Sequence, residues 1–380
     1  MEVTTIEYTA ERGWSEPFPE WDSPQTLVIA FGAPEFGGGP GPLRELLDAY
    51  RESHVLGCST AGEISGDQVS DGSIVAAICR FDEATLRSAS ARCETPEDSF
   101  DTGQRIGADL AADDLRAVFV LSDGLGVNGS ELARGLAAAV PDGVAVTGGL
   151  AGDGNRFEAT WVLGQDGPVP LAVSAIAFYG DRVDVGVGCQ GGWDPFGPER
   201  LVTASRGNVL HTLDGRPALS LYKEYLGDLA SGLPATALLF PLALRRSSDD
   251  ETTVTRTILA IDEDEESLTF AGDIPEGSYV QLMRANVERL VTGAERAAAE
   301  VVVDAASPSP LLSIGISCVG RRLVLGERTE EELEAVLTEL PPQTTQVGFY
   351  SYGEISSLIS GRCDLHNQSM TVTTIRERAA

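Results

Sequence analysis

The chain has 380 residues, 42% of them hydrophobic and 22% charged, which suffices for one large core or two and excludes a disordered or collagen-like polymer. Its 58 acidic residues against 27 basic ones give a net charge of -31, a far field that repels phosphate backbones and anionic lipid, so neither nucleic acid nor membrane insertion is expected. Lys223 is the single lysine, and this acid-rich, lysine-poor balance is halophile-like, which concerns solvent rather than function.

Short runs rich in Val, Ile and Ala alternate with helical patterns, the grammar of an α/β protein. A strand at 26–31 leads through a Pro/Gly-rich turn, 37–42, into a helix at 43–50 whose Leu43, Leu46 and Leu47 share one face. The chain returns at 55–64 and continues into a strand at 73–78. The same order follows with a strand at 117–121, a helix at 130–140 opened by Ser130 as N-cap, a return at 144–153 and strands at 159–163 and 171–178. Gly and Pro then become dense between 180 and 207, which places a seam at 195/196 and predicts two tightly associated domains, 1–195 and 196–380. Beyond it, 213–219 reads as a turn opening a helix that runs to Leu226, and the acidic stretch 262–266 as a solvated hairpin. A third pass has a strand at 311–318, a helix at 330–340, a return at 348–355 and a strand at 369–375. Aligned returns set Gly57, Gly62 and Glu63 over Gly348, Gly353 and Glu354, with Asp153 in the corresponding place. We infer divergent β-α-β-β units with mixed sheets, their Gly-acid loops at comparable strand ends.

Six cysteines form no C-x-x-C pair and have no close histidines in sequence, against a zinc site or disulfide framework. The N-terminus lacks the basic and apolar regions of a signal peptide, and no apolar run approaches a bilayer span, so a cytoplasmic protein is expected. Gly124-Leu-Gly-Val-Asn-Gly129 matches a dinucleotide fingerprint, but Asp123 sets a carboxylate where phosphate would approach, and a tight turn explains the residues. No Walker A loop exists.

Three polar clusters remain for a small ligand. Cys58, Ser59 and Thr60 crowd a strand end; Tyr350, Ser351, Tyr352 and Glu354 supply donors, acceptors and aromatic walls; His366, Asn367 and Gln368 flank the last strand. Corresponding loops of repeated units pack together, so these residues are expected to line one pocket, with Glu63 or Glu354 accepting a ligand ammonium. Trp193 reads as an apolar anchor.

At Gly57-Cys-Ser-Thr-Ala-Gly-Glu-Ile64, Gly148-Gly-Leu-Ala-Gly-Asp153, Leu213-Asp-Gly-Arg-Pro-Ala-Leu219, Cys318-Val-Gly-Arg321, Gly348-Phe-Tyr-Ser-Tyr-Gly-Glu-Ile355 and Leu365-His-Asn-Gln-Ser369 the chain resembles the FIST family of sensory proteins. The resemblance implies N-terminal and C-terminal FIST parts and a cytoplasmic sensory protein of signal transduction. It further implies a small ligand such as an amino acid, and a partner such as a histidine kinase or chemoreceptor. No catalytic residue, metal or cofactor is expected. The alternatives are a haem-dependent nitric oxide sensor with His366 as axial ligand, and a hydrolase using Cys58 or Ser59.

Overall fold

The computed structural model describes residues 1–38, 41–250, 253–301, 307, 309–357 and 363–378. Positions 39 and 40 of the first strand-to-helix turn lie outside the described residues. The first unit comprises β1 (Glu2–Thr9), β2 (Gly13–Trp14), β3 (Thr26–Gly32), α1 (Pro42–Ala49), β4 (His54–Ser59), β5 (Glu63–Ser65), β6 (Gln68–Ser70) and β7 (Ser73–Arg80). The second comprises β8 (Thr85–Arg92), α2 (Ser99–Leu110), β9 (Leu115–Ser122), α3 (Gly129–Ala139), β10 (Ala145–Leu150), β11 (Val162–Gly164), β12 (Gly167–Val169) and β13 (Ala172–Tyr179).

The third unit opens with β14 (Val183–Gln190) and is then interrupted by an inserted sheet. That insertion holds β15 (Asp194–Arg206), β16 (Val209–Leu213), β17 (Arg216–Pro217), α4 (Ala218–Leu226), β18 (Leu242–Arg245), β19 (Val254–Arg256), β20 (Ile258–Asp262), β21 (Ser267–Phe270) and β22 (Tyr279–Arg284). The unit resumes with α5 (Val287–Ala299), β23 (Leu311–Cys318), α6 (Val319–Leu325), α7 (Thr329–Glu339), β24 (Thr344–Ser351), β25 (Gly353–Ser357), β26 (Cys363–His366) and β27 (Met370–Glu377). Position 195/196 falls within β15. The helix after the 213–219 turn is α4, and the acidic 262–266 stretch joins β20 to β21 as a hairpin.

Each unit is built on a parallel pair, β3–β4, β9–β10 or β23–β24, flanked by two antiparallel strands. In register on those pairs stand Ala30 and Gly57, Val120 and Gly148, Gly315 and Gly348. A Cβ on the second residue of each pair would meet the facing carbonyl oxygen at 2.4, 1.8 and 1.8 Å, so all three units need glycine for the same close approach. This is the expected repetition, in three copies.

The hairpins do not stay in their own sheets. β5–β6 of the first unit extends the third unit's sheet beside β24, β11–β12 of the second joins β4 of the first, and β25–β26 of the third joins β10 of the second. The exchange closes a cycle. Inside it, Phe31, Cys58, Phe119, Ile316 and Phe349 from all three sheets share one core, with Phe31 and Phe349 stacked at 4.7 Å. Both faces of the central strands are buried, hence their near-continuous apolar sequences. Each large apolar side chain sealed there contributes about 1.5–3 kcal/mol.

Helices cover the outer faces. α2 packs on α3 and α5 on α7, whereas among the described residues the first unit has α1 alone, and Trp14, Phe18, Trp21 and Phe36 pack against the cluster that holds Leu43 and Leu46 in place of a second helix. The inserted sheet carries its own core around Leu210, Leu219, Phe270 and Leu282. Two local expectations need correction. The N-cap of α3 is Asn128, whose Oδ1 accepts from the Ser130 and Glu131 amides at 3.0 and 3.2 Å, because the helix starts at Gly129, two residues earlier than an N-cap at Ser130 would allow. The strand expected at 159–163 begins at Val162, because the amide of Ala159 is turned aside to bond Asp153.

Candidate functional site

The three Gly-acid steps act as latches. Glu63 accepts from the hydroxyl of Thr60 and from the amide and hydroxyl of Ser73 at 3.0 and 2.7 Å. Glu354 repeats this with the hydroxyl of Ser351 at 2.5 Å and the amide and hydroxyl of Ser369 at 3.2 and 2.8 Å. Each acid thereby ties the start of its hairpin to the strand that follows. Burial pushes Glu63 up to about 7 and Glu354 up to about 8, against the opposing hydroxyl and amide bonds. Asp153 instead gathers the amides of Phe157, Glu158 and Ala159 at 2.8–2.9 Å together with the Tyr352 hydroxyl. Burial disfavours its charge most strongly, yet these donors together hold its carboxyl below the ordinary value.

The other residues singled out in the sequence fall into two groups. Cys58 is sealed in the common core, and burial raises its thiol well above the ordinary range. The Ser59 hydroxyl accepts from the Trp161 amide at 3.0 Å. The Tyr350 hydroxyl donates at 2.8 Å to Glu332, which also takes the Ser317 hydroxyl at 2.8 Å and the Arg321 guanidinium at 2.7 Å. Tyr352 stacks on Phe157 at 4.4 Å. Cys58 to Glu63 and Tyr350 to Tyr352 thus lie together, joined by the Ala61 amide bonding the Tyr350 carbonyl at 2.8 Å.

His366, Asn367 and Gln368 sit on the far side of β25, at the turn from β26 to β27, where His366 stands opposite Glu354. Burial pushes the His366 imidazole down to about 4; Asp364 opposes the shift, Arg256 adds to it, and the Ser356 carbonyl bonds the ring. These polar neighbours are not the broad apolar slot that a haem plane needs. Among the described residues no group of three or more His, Cys, Asp or Glu is placed to hold a metal ion. The fingerprint loop is filled by its own acid, since Asp123 Oδ1 takes the Leu125 and Gly126 amides at 3.0 and 2.7 Å, the donors a phosphate would use. Trp193 donates to the Gln368 carbonyl at 2.8 Å from a buried position.

Above the first group opens a cleft of about 660 Å³ that draws residues from all three units. Ala61, Val69 and Asp71 come from the first, Gly154 and Asn155 from the second, and Val319, Arg322, Leu323, Glu327, Thr329 and Glu330 from the third. Arg322 is its centre. The guanidinium reaches the Ala61 carbonyl at 2.6 Å, holds both oxygens of Asp71 at 2.8 and 2.7 Å, and lies 5.4 Å over the Tyr350 ring. Hydrogen bonding to Asp71 is the main reason the arginine holds its proton more tightly than usual, with the Glu63 charge adding to it. Gly62, at φ +133°, makes room, since a Cβ there would sit 2.4 Å from the Arg322 Nη1.

Sequence reasoning passed over Arg322, Asp71 and Thr329. The doublet Arg321-Arg322, directly after an apolar strand in a chain with 27 basic residues, is the signal that could have found the first. Arg321 turns inward to Glu332, and Arg322 outward to the cleft.

Comparison with known proteins adds the following. The FIST N domain matches residues 26–216 and the FIST C domain residues 218–357. An uncharacterised protein of Methanocaldococcus jannaschii is 23% identical over 361 residues, spanning 82% of this chain and 67% of that protein. Among solved structures, a cyanuric acid hydrolase from A. caulinodans aligns over 100% of this chain and 99% of its own at 10% identity, with a TM-score of 0.34, too slight a likeness to carry an argument.

Proposed function

Because the chain belongs to the FIST family, whose domains are generally proposed as small-ligand sensors in signal transduction, we propose that it binds a small ligand in the Arg322 cleft and signals through a partner protein without chemistry of its own. The observation that carries this is one guanidinium held in an open cleft to which every unit contributes. An amino acid suits that lining. Its carboxylate takes the bidentate place that Asp71 occupies; Asp71 is 71% exposed, and such a surface pair is worth about 0–1 kcal/mol, so displacing it costs little. Its ammonium then meets Asp71, Glu327 or Glu330, three carboxylates against one guanidinium. The sealed thiol of Cys58 and the engaged hydroxyl of Ser59 favour binding over nucleophilic catalysis. A histidine kinase or a chemoreceptor is the class of partner we expect.

Calorimetry against a panel of free amino acids tests the reading. At least one should bind the wild type, and Arg322→Gln should weaken it by about 2–5 kcal/mol, roughly thirtyfold to a few thousandfold. Equal affinity in the variant removes the assignment.

A further inference from the structure

Where the inserted sheet meets the second unit there is another cleft, of about 430 Å³, and three of the chain's 27 basic residues line it. Arg246 and Arg256 come from the inserted part and Arg134 from α3, while Asp364 of β26 joins the first two. Asp364 takes Nη2 of Arg246 at 2.5 Å and Nη2 of Arg256 at 3.5 Å, so two guanidiniums share one carboxylate and keep a positive charge beside it. Arg256 is 1% exposed. It spends Nε on the Asp273 carbonyl at 3.1 Å and Nη1 on the Leu365 carbonyl at 2.8 Å, which leaves Nη2 with nothing better than its long approach to Asp364. A guanidinium buried so deeply with one nitrogen so weakly bound is short of an acceptor. Arg246 is about half exposed, and the bond to Asp364 is its single hydrogen bond among the described residues.

We propose that this cleft is a second ligand site, distinct from the Arg322 cleft, for a small organic monocarboxylate with an apolar body. The carboxylate sits beside Asp364, accepting from Nη2 of Arg256 and from the unspent fork of Arg246, and so supplies the acceptor that Arg256 lacks. The body lies on Ala137, Leu244 and Pro275, apolar residues that line the cleft from α3 and from the inserted part. Inorganic phosphate would leave that lining unused, and an uncharged amide would leave the guanidiniums uncompensated. The remaining acids of the lining are already engaged: Glu131 is paired with Arg134, and Asp273 takes Nδ2 of Asn128 at 3.1 Å. Burial, with the Asp273 charge beside it, also raises the Glu131 carboxyl above its ordinary value against the pull of Arg134, which lessens the repulsion an anion would meet. Seams between packed domains are frequent places for small-molecule pockets, and a ligand here touches the inserted sheet and α3 at once.

Calorimetry on the full chain with benzoate, phenylacetate and hexanoate, each beside its uncharged amide, tests the site. At least one acid should bind the wild type while its amide does not. Arg246→Gln, at an exposed position, should weaken that acid by roughly tenfold to a hundredfold. Ala137→Phe, which fills the cleft without altering its charges, should abolish binding. Arg322→Gln should leave it unchanged, so this site and the amino-acid reading of the other cleft can fail separately. The proposal is overturned if none of the three acids binds, if acid and amide bind equally, or if affinity is unchanged in either Arg246→Gln or Ala137→Phe. Loss of binding in Arg322→Gln would place the acid in the other cleft and overturn it as well.

Discussion

Replacing Glu354 by Gln isolates what a buried latch costs. Its carboxyl is wholly buried and moves from an ordinary 4.5 to about 8, mainly through loss of water. The folded state therefore holds a proton that the unfolded chain releases, and between those two values stability falls as pH rises. At about 1.4 kcal/mol per pH unit the loss amounts to about 5 kcal/mol by pH 9, of which about 3.5 is already present at pH 7. Gln imitates the protonated acid and cannot ionise. In urea unfolding at pH 4.5, 7 and 9, the stability of Glu354→Gln relative to wild type should climb by roughly that amount, whatever constant offset the altered hydrogen bonds to Ser351 and Ser369 introduce. A difference that stays flat with pH, or climbs toward acid, would show that those hydrogen bonds outweigh burial and would refute the reasoning.

Gly62→Ala should destabilise the fold by about 1–3 kcal/mol and weaken ligand binding at the cleft, since the new methyl meets the Arg322 guanidinium at a left-handed backbone position; chemical denaturation and calorimetry read the two effects. Arg321→Met should cost about 3–5 kcal/mol by stranding the Glu332 charge, and adding Glu332→Leu should recover part of it, so a double variant less stable than Arg321→Met would contradict the ion-pair account.

The three strand-helix passes were legible because their central strands are apolar on both faces and their outer helices repeat at helical spacing, as in Leu43, Leu46 and Leu47. Helices α2 and α5 were not, since only Ile106, Leu110 and Leu290 on their buried faces are large and apolar, and the rest are small or polar residues such as Gly103, Gly107, Ala294 and Ala297 that carry little hydrophobic signal. That choice serves packing: a Cβ at Gly103 would lie 2.4 Å from the Leu132 carbonyl of α3. The Gly-acid steps were visible as repeats, whereas periodicity says nothing about which sheet a hairpin joins. The cleft depends on that missing information, because Arg322 meets Ala61 across 261 residues of chain.

The exchanged hairpins make the molecule a three-way clasp with no severable third. Without the third unit, β5 and β6 have no sheet to extend and β10 shows a bare edge, so a fragment ending near residue 190 keeps its sequence but loses the closure that buries it. Folding must bring distant strands together before any sheet is complete, which favours one concerted and slow event over stepwise assembly. Asp71 follows the hairpin by which the first unit grips the third. A molecule that draws Arg322 away from Asp71 would therefore pull on the grip itself, and a change of a few ångströms at the cleft would reach the grip between those two units.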